Sequence, residues 1–450
     1  IFLNNIVPGV WTLPSHASLF TGRYVSGHGA DAHCEYLMVD FPTIAEILGE
    51  NGYVTVGFSN NGWVSRRTGV ARGFQEYYLI SRRVGKERVV EWFYVEEERF
   101  KETGEQDRGS LRTVNAVVGW LERRWDGSRP FFIFINFIEP HGPYWPPQPF
   151  RTKYLPPNTS EEEARSVTKL SSTRECVDIR VGALRLSERE WMIEKALYDG
   201  CTATVDDRIG KLFTYLEEKG LADETLIIIT SDHGDVQGEH EPHVEHHLCA
   251  YDELVKVPLI IRYPEVVPKG AKIKWLSQTV DIPATILDVV GIKESKYWKT
   301  LHGRSLLPAM VEGKPVRDFA LIEYHTSVQQ LFHTWRRHPE YDIRRFNYWI
   351  KAIRTLKYKY IWYSNGKDEL YDLEEDPKEK KNIAKERPDV VRQLKEKLER
   401  VLMSIDQVDY GDWPMLERRR EQFGAEALKA YDRLRAWGFY RKIKEAKLPT

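Results

Sequence analysis

Between Leu226 and Tyr251 the chain gathers residues that can bind a cation or move a proton. The apolar run Leu226-Ile227-Ile228-Ile229-Thr230 leads directly into Ser231-Asp232-His233-Gly234-Asp235. Hydrophilic side chains released at the carboxyl end of a buried strand stand where open α/β sheets place their sites. Adjacent Asp232 and His233 offer a hard oxygen and a borderline nitrogen to a divalent cation. His240, His243, His246 and His247 follow, so five of the thirteen histidines fall between His233 and His247. A solvated loop has no reason to collect imidazoles, whereas a metal or anion site does. Five ligands from one short stretch are too many, and His240 and His243 read singly as surface or supporting residues.

A second constellation is Trp11-Thr12-Leu13-Pro14-Ser15-His16-Ala17-Ser18-Leu19-Phe20-Thr21-Gly22. Pro14 suits a first helical turn, Ala17 to Phe20 continue the helix, and Gly22 can end it. This places the Thr12 hydroxyl beside a helix N-terminus, where unpaired N–H groups and the dipole favour an anion by about 0.3–1 kcal/mol. A hydroxyl there can attack that anion, although a lone threonine in this place is also an ordinary cap. Glu139-Pro140-His141-Gly142-Pro143-Tyr144 sets another histidine just after an apolar run. Alone, His141 is equally a structural loop residue or a catalytic one.

These residues need a rigid frame. The runs Val54 to Phe58, Phe131 to Asn136, Leu226 to Thr230 and Leu259 to Arg262 are continuously apolar, as in central strands covered on both faces. Leu111, Val114, Val117, Leu121 and Trp125 recur at helical spacing, and Ser187 with Glu190 forms a capping box before a long helix that Gly220 closes. The alternation predicts an α/β domain. Arg151 to Arg185 and Lys314 to Trp349 read as long irregular segments of the kind that shape substrate sites. Strand-like Tyr358 to Trp362 and Glu369 to Leu373, then charged amphipathic helices, predict a smaller C-terminal subdomain.

At 450 residues and 42% hydrophobic content the chain can bury one large core or two. Lys plus Arg (66) balances Asp plus Glu (67), so the charge does not point to nucleic acid or an anionic membrane. An anionic substrate therefore needs a local basic site. No apolar stretch is long enough to span a bilayer, and four scattered cysteines fit a reducing compartment, so a cytoplasmic location is expected.

Taken together these segments resemble the sulfatase family of the alkaline-phosphatase superfamily. The matching stretches are Trp11 to Tyr24, Gly52 to Phe74, Phe132 to Tyr144, Thr230 to Ile261, Val280 to Leu287, His302 to Leu306, and Glu369 to Leu373 with Asp376, Pro377 and Asn382. The resemblance implies an alkaline-phosphatase-like three-layer α/β sandwich with a large, mostly parallel central sheet, plus a smaller C-terminal α+β subdomain. It divides the chain into a catalytic domain over 1–349 and a subdomain with a small antiparallel sheet and helical tail over 350–450. By resemblance, Thr12 is the nucleophile and a metal ligand, and Asp232 and His233 are metal ligands. His141 contacts the transferred group or the leaving oxygen, His246 or its neighbour His247 stands near the leaving group, and Asn61 or adjacent Asn60 contacts anionic oxygens. One divalent ion (Mn, Zn, Ca or Mg) is implied, with a small anionic ester as substrate.

Three departures sharpen the expectation. Sulfatases carry Cys or Ser at the nucleophile position and oxidise it to formylglycine; Thr12 could at best give a ketone, so its alcohol must attack directly. That favours phosphodiesters and phosphonates over sulfate esters, with a phospho-group transferase or a non-catalytic relative as alternatives. His16 replaces the usual arginine of the substrate site, which implies anion binding that weakens as pH rises. The family's paired metal-binding aspartates have no counterpart among the eleven residues before Thr12, and are expected on a strand upstream of Ile1.

Overall fold

The computed structural model describes residues 1–406 apart from 33, 38–40, 81–106 and 171–172. The helical tail expected further on lies outside the described residues. Strand β1 (Phe2–Ile6) pairs in parallel with β9 (Ile273–Gln278) and is bordered on its other side by antiparallel β8 (Leu259–Arg262). Antiparallel β5 (Ile227–Thr230) closes this sheet in the order β5-β8-β1-β9. A separate three-stranded sheet, wholly parallel, has β2 (Val54–Ser59) between β3 (Glu76–Leu79) and β4 (Phe131–Asn136).

The α/β architecture is as expected, but among the described residues the frame is two sheets and one of them is mixed. After β5 the chain reverses through residues 231–258, which hold the short antiparallel pair β6 (Val236–Gln237) and β7 (Val244–Glu245), and returns beside β5, a connection that needs no crossover and so runs antiparallel. Strands β4 and β5 end their respective sheets and are half-buried along their whole length. Phe131, Ile133 and Ile135 of β4 share one apolar cluster with Ile227 of β5. The loops that leave these two strands carry His141 and Asp232.

Helix α1 (Thr12–Thr21) is buried on every side except at Leu19, and its polar residues Ser15 and Thr21 are buried with partners, Ser15 donating to the Gly9 carbonyl and Thr21 to the Ala17 carbonyl, both at 2.7 Å. Leu13, Ala17 and Phe20 pack among Ile44, Leu48 and Phe74, with the Phe20 ring 4.8 Å from that of Phe134. Gly22 ends α1 with φ of 64°, a left-handed cap that costs glycine little. Helix α2 (Ser110–Arg123) and helix α3 (Glu188–Glu218) cover the parallel sheet, and α3 opens with the predicted Ser187–Glu190 capping box.

The two segments read as irregular contain regular structure. Residues 151–185 fold into helices Glu161–Leu170 and Thr173–Val181. Their few apolar positions sit among charges, and three successive glutamates open the first helix, so the stripe is thin. Within 314–349, strand β10 (Ala320–His325) is fully buried although it contains Glu323 and His325, whose charge hid the strand pattern. Glu323 is neutralised by an ion pair with Lys351. Strand β10 heads an antiparallel sheet with β11 (Trp349–Arg354), β12 (Tyr358–Tyr363) and β13 (Glu369–Asp372), so this sheet draws strands from both sides of residue 349. Helix α4 (Pro388–Met403) covers it with Val390, Leu394, Leu398 and Leu402. No helix among the described residues is long and apolar enough to cross a membrane.

Candidate active site

Helix α1 sets the position of Thr12. Trp11 is the N-cap and Thr12 the first helical residue, and no side chain makes the capping bond. The Thr12 hydroxyl, only 4% exposed with its residue, is therefore not spent as a cap. One turn on, His16 Nδ1 donates to the Thr12 carbonyl at 2.8 Å, and the same nitrogen stands 3.5 Å from Asp232 Oδ2. This contact brings the two sequence constellations together. The His16 ring thus serves the Thr12 backbone and Asp232, while its Nε2 lies 3.5 Å from Asn136 Nδ2.

Asp232 and His233 leave the end of β5 in a turn that only glycine can complete. A Cβ on Gly234 would meet the Glu253 carbonyl oxygen at 2.2 Å, and the Gly234 N–H donates to Leu254 at 2.7 Å. His233 Nδ1 donates to the Gly234 carbonyl at 2.8 Å, which leaves the Nε2 lone pair facing Asp232 Oδ2 at 3.5 Å. A lone pair opposite a carboxylate is repulsive unless a cation or proton lies between, so this donor set fits a divalent ion. Burial alone would raise the Asp232 pKa, but His233, His16 and His246 hold it below the usual carboxylate value. Burial pushes His233 down.

His246 is the hub of the histidine cluster. Its ring centroid is 4.4 Å from His233, 5.2 Å from His141 and 4.3 Å from His247. Its Nδ1 donates to Asp235 Oδ1 at 2.9 Å, and Tyr144 donates to Asp235 Oδ2 at 2.8 Å. Burial opposes the His246 charge, yet the Asp235 bond raises its pKa above the ordinary imidazole value. Burial likewise opposes the Asp235 charge, but His246 and His233 bring its pKa down to about 2. His247 lies behind the hub. Burial and then the neighbouring His246 push it well below normal, and its Nδ1 is buried without a hydrogen-bond partner.

His141 is held by its own loop. Its Nδ1 donates to the Gly142 carbonyl at 2.8 Å, while the Arg108 guanidinium donates to the carbonyls of His141 and Gly142. Asn61 accepts the Trp63 N–H at 2.9 Å through Oδ1, and Trp63 packs edge-on against Trp11, which ties this turn to the start of α1. Both polar atoms of the Asn60 amide are buried with no hydrogen-bond partner. Its Nδ2 points toward Gly109, where α2 begins, 3.4 Å from where a Cβ there would stand.

Residues 1–292 match the sulfatase family, and residues 238–404 match the family described as N-sulphoglucosamine sulphohydrolase, C-terminal. The chain belongs to the sulfatase family. An arylsulfatase of Clostridium perfringens (strain 13 / Type A) is 30% identical over 294 residues, 62% of this chain and 56% of that protein. The multifunctional alkaline phosphatase superfamily protein PehA of Trinickia caryophylli is 28% identical over 273 residues, 57% of this chain and 52% of its own length. The chain spans little more than half the length of these two curated relatives. Among solved structures, the phosphonate monoester hydrolase of Agrobacterium radiobacter superposes with a TM-score of 0.67 at 20% identity, over 89% of this chain and 88% of that one. A chain in complex with its substrate D-glucosamine-2-N,6-O-disulfate gives 0.63 at 22% identity, over 89% of each chain. The fold is alkaline-phosphatase-like α/β with a C-terminal antiparallel sheet.

In this sulfatase-family chain the fold brings Thr12, His16, Asp232, His233, His141 and His246 into one linked cluster, with His247 behind it and Asn61 tied to the start of α1. Sequence reasoning passed over four residues here. Asp235 and Tyr144 orient His246, Arg108 braces the His141 loop, and Glu194 lies buried close by. Asp235 and Tyr144 stood in the quoted strings around His233 and His141 without a role; Arg108 and Glu194 carry no local signal.

Proposed function

We propose that this chain is the catalytic body of a metal-dependent hydrolase of sulfate or phosphate-type esters, phosphodiesters and phosphonates favoured, with Thr12 as nucleophile. The observation that carries this reading is the uncapped, buried Thr12 hydroxyl at the N-terminus of α1, joined through His16 to Asp232. Asp232, His233 and Thr12 would hold the divalent ion. When bound, such an ion lowers the pKa of a coordinated hydroxyl and offsets charge on the ester.

The Thr12 hydroxyl gives up its proton to solvent, and its Oγ forms the bond to phosphorus or sulfur as the bond to the leaving oxygen breaks. That oxygen takes a proton from the histidine group of His141, His246 and His247. The N–H groups that open α1, with Asn60 or Asn61, receive the anionic oxygens. Water then attacks the Thr12 ester and releases the acid. A sulfate ester is the second reading, favoured by the likeness to arylsulfatases; a threonine that cannot become an aldehyde favours phosphorus.

The test is a panel of aryl phosphodiester, phosphonate monoester and sulfate substrates with Mn, Zn, Mg or Ca added. Turnover of a phosphorus ester is expected, stimulated by a metal and reduced by at least about a thousandfold in Thr12→Ala. Activity that survives Thr12→Ala would sink the nucleophile assignment.

A further inference from the structure

Beside Asp232, the side chains of His233, Asp235 and His246 converge. The ligating atoms of His233, Asp235 and His246 all lie within 4.8 Å of one another. The ring centroids of His233 and His246 are 4.4 Å apart. Two imidazoles bound to one cation through nitrogen at about 2.1 Å, with each ring centre about 1.1 Å further out, stand roughly 4.5 Å apart at a right angle and about 5.2 Å apart at the tetrahedral angle, so the observed spacing suits a shell of more than four ligands.

Each ring has its other nitrogen committed, His233 Nδ1 to the Gly234 carbonyl at 2.8 Å and His246 Nδ1 to Asp235 Oδ1 at 2.9 Å. Histidine ligands are commonly held in this way, with the outer N–H on a carbonyl or carboxylate that fixes the tautomer and leaves the inner lone pair for the metal. The carboxylate that does this for His246 is itself fixed, because Tyr144 donates to Asp235 Oδ2 at 2.8 Å from a position only 2% exposed.

We propose that His246 is a further protein ligand of the divalent ion held by Asp232 and His233, aimed by the Asp235–Tyr144 pair. This rests on the reading of Asp232 and His233 as ligands. Two imidazoles with carboxylate favour Zn, Co or Mn over Ca and Mg, which prefer all-oxygen shells. Engaging His246 leaves His141, its ring centroid 5.2 Å away, to deliver the proton to the leaving group.

The experiment titrates Co²⁺ into the metal-stripped protein, read by calorimetry and by visible absorption. His246→Ala is expected to weaken Co²⁺ binding by about a hundredfold or more and to alter the absorption bands. Asp235→Asn should weaken it by about 10–100-fold. Melting curves of the metal-free variants report whether each still folds. His246→Cys should bind Co²⁺ with a sulfur-to-metal charge-transfer band, a signature no structural role produces. Wild-type affinity and spectrum in both His246→Ala and Asp235→Asn, with binding lost in Asp232→Asn, would overturn the inference and leave the reading of Asp232 intact. No Co²⁺ binding by the wild-type protein would overturn both.

Discussion

Glu194 projects from α3 into the interior near the His246 hub, with Oε2 buried and lacking a hydrogen-bond partner. Burial, reinforced by Glu245, Asp235 and Glu239, pushes its pKa up to about 8 from 4.5. At neutral pH the native protein therefore keeps a proton there that the unfolded chain releases. The stability this residue allows is complete below about pH 4.5 and is lost as pH rises through 8. Glu194→Gln, which mimics the protonated acid, should unfold in urea within about 1 kcal/mol of wild type near pH 4.5 and become increasingly the more stable protein as pH rises to 9. A variant no better than wild type at pH 9 would show that Glu194 is ionised without cost. The same logic of committed partners distinguishes the site histidines. The outer nitrogens of His233, His246 and His141 are each taken by a carbonyl or carboxylate, so their tautomers are set before any substrate arrives.

At the scale of elements, the C-terminal sheet is what holds the histidine loop in place. Lys359 of β12, wholly buried, donates to the Ala250 carbonyl at 3.0 Å and pairs with Asp252 at 2.6 Å and Glu379 at 2.7 Å. Arg354 of β11 also pairs with Asp252, at 3.0 Å, and Tyr348 donates to the Leu248 carbonyl at 2.8 Å. These contacts reach the segment immediately after His246 and His247. Lys359→Met would leave Glu379 buried without its cation and Asp252 with one of two, a loss of about 3–5 kcal/mol that chemical denaturation would measure. Turnover under native conditions should fall as well, because the histidine loop loses its anchor. Unchanged stability would mean that water reaches these carboxylates.

Across the whole molecule, buried neutral histidines set the acid limit. Burial holds His28 and His302 at about 4 rather than 6.5, and His243 likewise. The His28 ring explains why: its Nδ1 accepts the Ala30 N–H at 3.1 Å and its Nε2 donates to Ser18 Oγ at 2.9 Å, so a second proton would break the first bond. Between pH 6.5 and 4 the unfolded chain binds protons that the native protein refuses, and stability falls as pH drops. His28 alone accounts for about 3 kcal/mol at full extent. Urea midpoints from pH 7 to 4.5 should decline steeply in wild type and by about one proton's worth less in His28→Asn; an unchanged slope would remove His28 from the account.

Local pattern alone determined strands β2, β4, β5 and β8, the capping box of α3, the glycine that ends α1 and the Asp232-His233 pair, because each rests on periodicity or on chemistry within a few residues. The sequence also named Thr12 as nucleophile but left open whether it was a cap, a question answered when Trp11 took that place. What only the tertiary structure decided depends on partners far apart in the chain. Tyr144 and Asp235 are 91 residues apart, and Lys359 and Ala250 are 109 apart. Strand β10 was hidden because Glu323 and His325 look polar until Lys351 neutralises the glutamate. The Asp232-His233 pair was legible from the start; which nitrogen of His233 faces that carboxylate was not, since it follows from a backbone carbonyl that the glycine turn puts in place.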